Sequence, residues 1–322
     1  MKKLLGILAV ILAAILLVYG LDSRSRQASA GSGETTQPTT QITLPETTQP
    51  PTTEAPTEAP TEATTEPPPT TDPQVEALRP YRNLGVCRGL DEAHTFVLFF
   101  LDDLSSSWSG EEIAAFNGLY FYPAMDFLQT QAEAWGMEVN RDSFTYSSDV
   151  NEGMAYPGVV ASDFQEGGAA TDIPDKTARS LGFADGREMY RHLQDYTGTD
   201  QVAMLFFLNK PGRSYTIRDE HRDGQEELEF SVIFESYPGY ATSATAATIA
   251  HELLHLFGAE DYYDPYGIFP QRKALAESQI PNDIMLVTYY NVKDNTLSQA
   301  TAFTVGWTDT VPEIMEDPDW NR

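Results

Sequence analysis

The chain has 322 residues, 20 of them Lys or Arg and 48 Asp or Glu, for a formal charge of −28 at pH 7. Such an excess of carboxylates repels a phosphate backbone and an anionic lipid surface, which excludes nonspecific nucleic-acid binding and electrostatic membrane docking. A hydrophobic content of 41% can build a core, a mean hydropathy of −0.35 excludes a polytopic membrane protein, and the single cysteine, Cys87, excludes an internal disulfide and any multi-cysteine metal site.

Residues 1–30 have the layout of an export segment. Lys2 and Lys3 precede an apolar run of 16 residues, 4–19, followed by Gly20 and the polar residues Asp22, Arg24 and Arg26. The run is long for the apolar part of a signal peptide and short for a spanning helix, so both a cleaved signal peptide and a retained signal anchor fit. The expected location is extracellular, either secreted or tethered to the outer face of the cell membrane, with membrane contact only through this segment. Residues 31–76 are rich in Thr, Pro and Glu, with a four-residue near-repeat over 53–64. They lack the apolar surface to offset ordering entropy and read as a disordered linker, able to extend ~3.1 Å per residue and on the order of 140 Å in all. Residues 77–322 form the expected globular domain. They carry 39 acidic and 16 basic side chains, so the acidity is not a property of the linker alone. A solvated extracellular surface explains it; bound calcium is compatible with it, but no EF-hand loop is present and no calcium site can be named.

Within that domain, 94–101 is a continuous β-prone run ending in Asp102-Asp103 and reads as a buried strand. Ser109 with Glu112 three residues on forms a capping box that opens a helix over 110–135. A short strand is expected near 144–147, and the Gly-, Asp- and Pro-rich stretch 148–185 reads as mostly loop. A helix over 186–196 and an apolar strand over 201–208 follow, then strands at 213–217 and 230–234 and a helix over 243–257. A long irregular stretch leads to a last helix near 297–305. Strands alternate with helices early and helices dominate later, so the fold class is α/β or α+β, with a mixed twisted sheet.

The helix at 243–257 carries the sequence His251-Glu252-Leu253-Leu254-His255-Leu256-Phe257-Gly258-Ala259-Glu260-Asp261. Histidines four apart stack on one face of a helix and can hold one Zn²⁺. Glu252 then lies beside the metal, where its carboxylate can take a proton from water. Gly258 supplies a left-handed conformation that ends the helix, and the turn can return Asp261 as a third ligand. Glu260 and Glu277 compete for that role, Glu277 lying 22 residues beyond His255, near the spacing of a gluzincin glutamate ligand. His94, His192 and His221 have no ligand spacing and read as surface or structural histidines. Tyr262, Tyr263, Tyr266 and Phe269 either line a substrate subsite or pack the lower part of the domain.

These residues resemble the extended signature of the metzincin zinc endopeptidases, HExxHxxGxx followed by His or Asp, in its aspartate-ending, snapalysin-like form. The clan also carries a methionine beneath its ligands, which Asp283-Ile284-Met285 matches. The resemblance implies a zincin-type catalytic domain with one catalytic Zn²⁺ held by His251, His255 and Asp261, water in the remaining position, and Glu252 as general base. It departs from some members at Val287, where they place a tyrosine, and no cysteine-switch propeptide is recognisable; Cys87 reads as a free or buried thiol. The expected activity is hydrolysis of a protein or peptide substrate, its strand paired with an edge strand near 213–217. The alternatives are a gluzincin-type peptidase using Glu277 and a surface-displayed binding protein with a structural zinc.

Overall fold

A computed structural model describes residues 82, 84–88, 94–148, 155–162, 172–218, 228–236, 245–264 and 267–320, all within one compact unit, Pro67–Arg322. The expected export segment and linker, and with them His221, Ser243 and Tyr266, lie outside the described residues. Among the described residues no helix is long and apolar enough to cross a membrane.

The fold is a mixed α/β arrangement around one five-stranded sheet. One inner strand is β1 (His94–Leu101), buried along its whole length. Phe96, Leu98 and Phe100 enter the core on one face, and Val97, Phe99 and Leu101 enter the core on the other. A strand apolar on both faces belongs inside a parallel sheet. It is flanked by β2 (Ser143–Tyr146) and β3 (Gln201–Pro211), parallel to both, with His94 opposite Gln201 and Leu101 opposite Leu208. Two further strands complete the sheet. These are β4 (Tyr215–Ile217) and β5 (Phe230–Ser236), the latter parallel to β3, so that the order is β2-β1-β3-β5-β4. The edge strand β4 runs antiparallel to β5.

One helix follows each of the predicted signals, with adjustments. Ser109 and Glu112 form the reciprocal capping box that opens α1 (Gly110–Phe116). The chain then passes through one π turn, Asn117–Phe121, before α2 (Tyr122–Glu133), so the single helix expected over 110–135 is interrupted. On the opposite face lie α3 (Ile173–Ser180) and α4 (Gly186–Thr197), the latter ended by Gly198 at φ +74°. After β5 come α5 (Ala246–Leu256), α6 (Pro270–Gln279), α7 (Gln299–Thr304) and the short α8 (Glu313–Glu316).

The stretches 148–185 and 258–296, expected to be loop, hold α3 and α6. The reason is shared: Pro174 and Pro270 sit in the first turn of each helix, where a fixed φ and a missing N–H cost nothing. Pro312 likewise caps α8. The strand expected over 213–217 begins only at Tyr215, because Arg213 donates its N–H to the Ser162 carbonyl, 2.7 Å away, outside the sheet ladder.

The helix α5 is capped by Thr245, whose hydroxyl accepts from Thr248 N. Ala247, Ile249, Ala250, Leu253, Leu254 and Leu256 have no exposed surface, so the helix is apolar nearly all round and is sequestered between the sheet, at β5 and β4, and α2 with the π turn before it. Each fully buried leucine there contributes roughly 1.5–3 kcal/mol of transfer free energy. Its C-terminal end is gripped by a strap, residues 84–88. Cys87 N donates to Leu256 O at 3.0 Å, and Gly85 passes so close that a Cβ on it would lie 2.0 Å from that carbonyl. Ahead of the strap, Arg82 bonds the carbonyls of Phe303 and Thr308 and pairs with Asp309.

Candidate metal centre

The last turn of α5 closes with two bonds that define a Schellman motif: Gly258 N to His255 O at 2.9 Å and Ala259 N to Leu254 O at 3.0 Å. Gly258 has φ +98°, the left-handed backbone anticipated from the sequence. The reversal directs residues 259–262 back across the helix, and Tyr262 N is held by Met285 O at 2.9 Å.

His251 and His255, four residues apart on α5, have ring centroids 4.8 Å apart and are both buried. Each Nδ1 faces a carbonyl, Ile284 O at 2.9 Å for His251 and Ala259 O at 2.8 Å for His255. A carbonyl only accepts, so each Nδ1 carries the proton and each Nε2 of a neutral ring presents a lone pair. The two Nε2 atoms are 3.2 Å apart, and Asp261 Oδ1 lies 3.2 Å from each of them. That oxygen is enclosed by protein yet has no hydrogen bond of good geometry. Three acceptors thus converge with no donor of their own.

A positive charge relieves such a triangle. A proton does so in part. Burial by itself would depress the His251 pKa, but the Asp261 carboxylate, with Glu252 and the Ile284 carbonyl, pushes it up to about 9. Burial would raise Asp261, but the two imidazoles hold it well below the ordinary carboxylate range. A metal ion relieves it fully, and the donor set fits zinc. Two imidazoles and a carboxylate are borderline ligands of the kind zinc takes, and a tetrahedral ion with bonds of about 2.0–2.1 Å sets its ligands about 3.3 Å apart.

Glu252, the residue after His251, is buried, and its carboxylate joins the two imidazoles in a group whose ligand atoms lie within 4.8 Å of one another. Asp261, at 3.2 Å from both nitrogens, is the closer third donor, which leaves Glu252 beside the cluster. Its Oε2 is 2.7 Å from Thr216 Oγ1 on β4.

The rival acids are elsewhere. Glu260 is paired with the buried Arg272, Nη1 at 2.7 Å, and Glu277 lies on α6, 58% exposed, with Lys273 Nζ 3.8 Å away. Met285 is fully buried in the core that also receives α5. The turn containing it is fixed by Asp283, a buried carboxylate that accepts from Met285 N at 2.7 Å, Ser298 N at 2.8 Å and Thr301 Oγ1 at 2.8 Å. Tyr262 packs in the core against Trp320, Tyr263 stands half-buried with its ring 6.1 Å from that of His251, and Phe269 lies under the Arg272 guanidinium. Cys87 is a buried free thiol in the strap, its pKa raised by burial and by Glu229. His94 is buried with Nε2 3.0 Å from Asn140 O, and His192 is exposed beside Phe183.

Three residues around the centre carry no sequence signal of their own. Thr216 and Arg218, two apart and therefore on one face of the edge segment, both reach α5 and its turn, Arg218 through Nη1 to Ala259 O at 2.8 Å. Asp283 was visible only as a neighbour of Met285. Period-two placement on a short strand beside the helix is the one pattern that points to the first two. No protein-family model matches the chain, and no curated protein matches it in sequence.

Proposed function

We propose that the chain is an exported zinc-dependent endopeptidase of the metzincin type, acting on protein or peptide substrates outside the cell. The observation that carries this reading is the convergence of His251 Nε2, His255 Nε2 and Asp261 Oδ1 at 3.2 Å with the Glu252 carboxylate alongside. Support for export is the apolar run at 4–19 behind Lys2 and Lys3.

His251, His255 and Asp261 would hold the ion, each imidazole oriented by the carbonyl on its Nδ1. Zinc bound there would supply Lewis acidity, lowering the pKa of a water towards about 7 and polarising the scissile carbonyl. Glu252 accepts the proton of the attacking water and returns it to the departing amine, so one carboxylate serves as base and then as acid. The enclosed, apolar setting of α5 excludes bulk water from the rear of the site and strengthens each charge interaction within it.

The test uses the purified full chain. Elemental analysis should find about one zinc per chain, and hydrolysis of an unfolded protein should stop with a chelator and return with zinc. Glu252→Gln keeps the shape of the side chain and removes the proton acceptor, so turnover should fall at least ~10²-fold with zinc retained. A zinc-loaded chain that cleaves no peptide, or a Glu252→Gln variant as active as wild type, would overturn the assignment in favour of a structural ion.

A further inference from the structure

We propose that Thr216 is the positioning residue of Glu252, its hydroxyl holding one carboxylate oxygen from the edge strand so that the other is presented to the reacting water. The inference rests on the peptidase reading above and adds to it a residue that no motif marks.

A carboxylate oxygen only accepts, which sets the direction of this contact. Thr216 Oγ1 lies 2.7 Å from Glu252 Oε2, 3.0 Å from the Glu252 carbonyl and 2.9 Å from Ser231 Oγ. Ser231 Oγ is itself 3.2 Å from the same carbonyl. Two hydroxyl protons therefore serve one carboxylate and one carbonyl. If Ser231 donates to the carbonyl, the Thr216 proton has the carboxylate, at 2.7 Å, as its shortest contact. If Ser231 donates to Thr216 Oγ1, the Thr216 proton still has the carboxylate as its nearest and only charged acceptor. Either arrangement makes Thr216 the donor in a charge-assisted bond, the stronger kind.

Geometry explains why such a grip is needed. Glu252 has three side-chain torsions, and its carboxylate is bonded not by the neighbours on its own helical face, Thr248, Ile249, His255 and Leu256, but by Thr216. The constraint comes from outside the helix, across 36 positions of sequence. It comes, moreover, from β4, where Thr216 is paired with Ser231 of β5 and so is held by the sheet ladder. A base fixed to the sheet keeps its distance to any peptide aligned along the sheet edge, which is the orientation term in catalysis.

The experiment compares Thr216→Val, which replaces the hydroxyl with a methyl at nearly constant volume, with Thr216→Ser, which keeps the hydroxyl. Zinc content, kcat and KM on one peptide, and crystal structures of the zinc-loaded forms are measured for each. Thr216→Val should keep one zinc and a KM within about twofold of wild type while kcat falls on the order of tenfold, and Thr216→Ser should recover most of it. In the valine variant the Glu252 carboxylate should occupy a different rotamer, a readout that does not need turnover. Wild-type kcat in Thr216→Val, a Thr216→Ser as slow as the valine variant, or an unmoved Glu252 would overturn the proposal while leaving the peptidase reading intact. Loss of zinc from Thr216→Val would also overturn it, since Thr216 would then support the ligands and not the base. An inactive zinc-loaded wild type defeats the peptidase reading, and a Glu252 unmoved in the valine variant's structure then defeats the positioning claim separately.

Discussion

Asp261, Glu260 and Glu277 are all carboxylates that follow α5 closely in sequence, and their surroundings set them apart. Glu260 is engaged by Arg272 and Glu277 faces solvent beside Lys273, whereas Asp261 Oδ1 is enclosed between two imidazole nitrogens. Asp261→Ala should therefore lose zinc on dialysis, with affinity down at least tenfold and activity with it, while Glu260→Ala and Glu277→Ala keep one zinc per chain. Atomic emission after dialysis decides between them, and release of zinc by Glu277→Ala alone would turn the reading towards a gluzincin site. At this scale the sequence was informative wherever function is carried by local spacing. His251, Glu252, His255, Gly258 and Asp261 lie within eleven residues, and helix geometry alone brings them together. Thr216, Arg218 and Asp283 reach the same place through tertiary packing, and the period-two spacing of the first two marks a shared strand face without saying what that face meets.

Among the elements, the helix–turn that returns Asp261 depends on a conformation other residues resist. Gly258 sits at φ +98°, and a Cβ there would lie 2.5 Å from Leu84 N in the strap. Gly198, at φ +74°, has nothing within 4 Å of the same construction. Gly198→Ala should thus cost only the left-handed strain, about 1 kcal/mol, whereas Gly258→Ala should cost at least about 2 kcal/mol and also weaken zinc binding. Urea unfolding in the presence of a chelator separates the stability effect from the metal effect. Equal losses in the two variants would show that the strap gives way freely. Strands and most helices were legible because burial on both faces leaves a continuous apolar run, as in β1, and burial of one stripe leaves a periodic one, as in α4. The helices that the sequence does not announce, α3, α6 and α8, are those opened by proline, a residue compatible with a helix start but not with its interior.

For the molecule as a whole, acid stability has an identifiable contributor at the carboxyl ends of the central strands. The side chain of Asp103 has no exposed surface and is paired with Lys210, which also donates to Val160 O. Burial alone would raise the Asp103 pKa; the Lys210 ammonium, with the Val160 and Ser105 amides and the Ser105 hydroxyl, lowers it from 3.8 to about 2. A carboxylate whose pKa is lower folded than unfolded stabilises the fold above its unfolded value, and that stabilisation is lost as pH falls through the folded one. Lys210→Met should be about 3 kcal/mol less stable at pH 7, since it strands a buried carboxylate, and the gap should narrow between pH 4 and pH 2. Urea midpoints across that range test it; a gap independent of pH would mean Lys210 acts by packing alone. The class of fold followed from the order of elements, but the sheet order β2-β1-β3-β5-β4 did not, because lateral order is settled by which faces find cover.

The grip of Arg82 on the C-terminal part of the domain has a mechanical consequence. A pull arriving along the chain from its N-terminal side meets Arg82 before it meets Gly85 or Cys87. Two carbonyl bonds, the Asp309 pair and the Phe303 ring contact pass that load to the end of α7 and the segment after it. The strap that lies against Leu256 and Gly258 is thus sheltered behind an anchor point, and tension would have to break the Arg82 contacts before it could tug on the turn that carries Asp261. The centre would stay aligned under such a pull for as long as the Arg82 guanidinium stays seated.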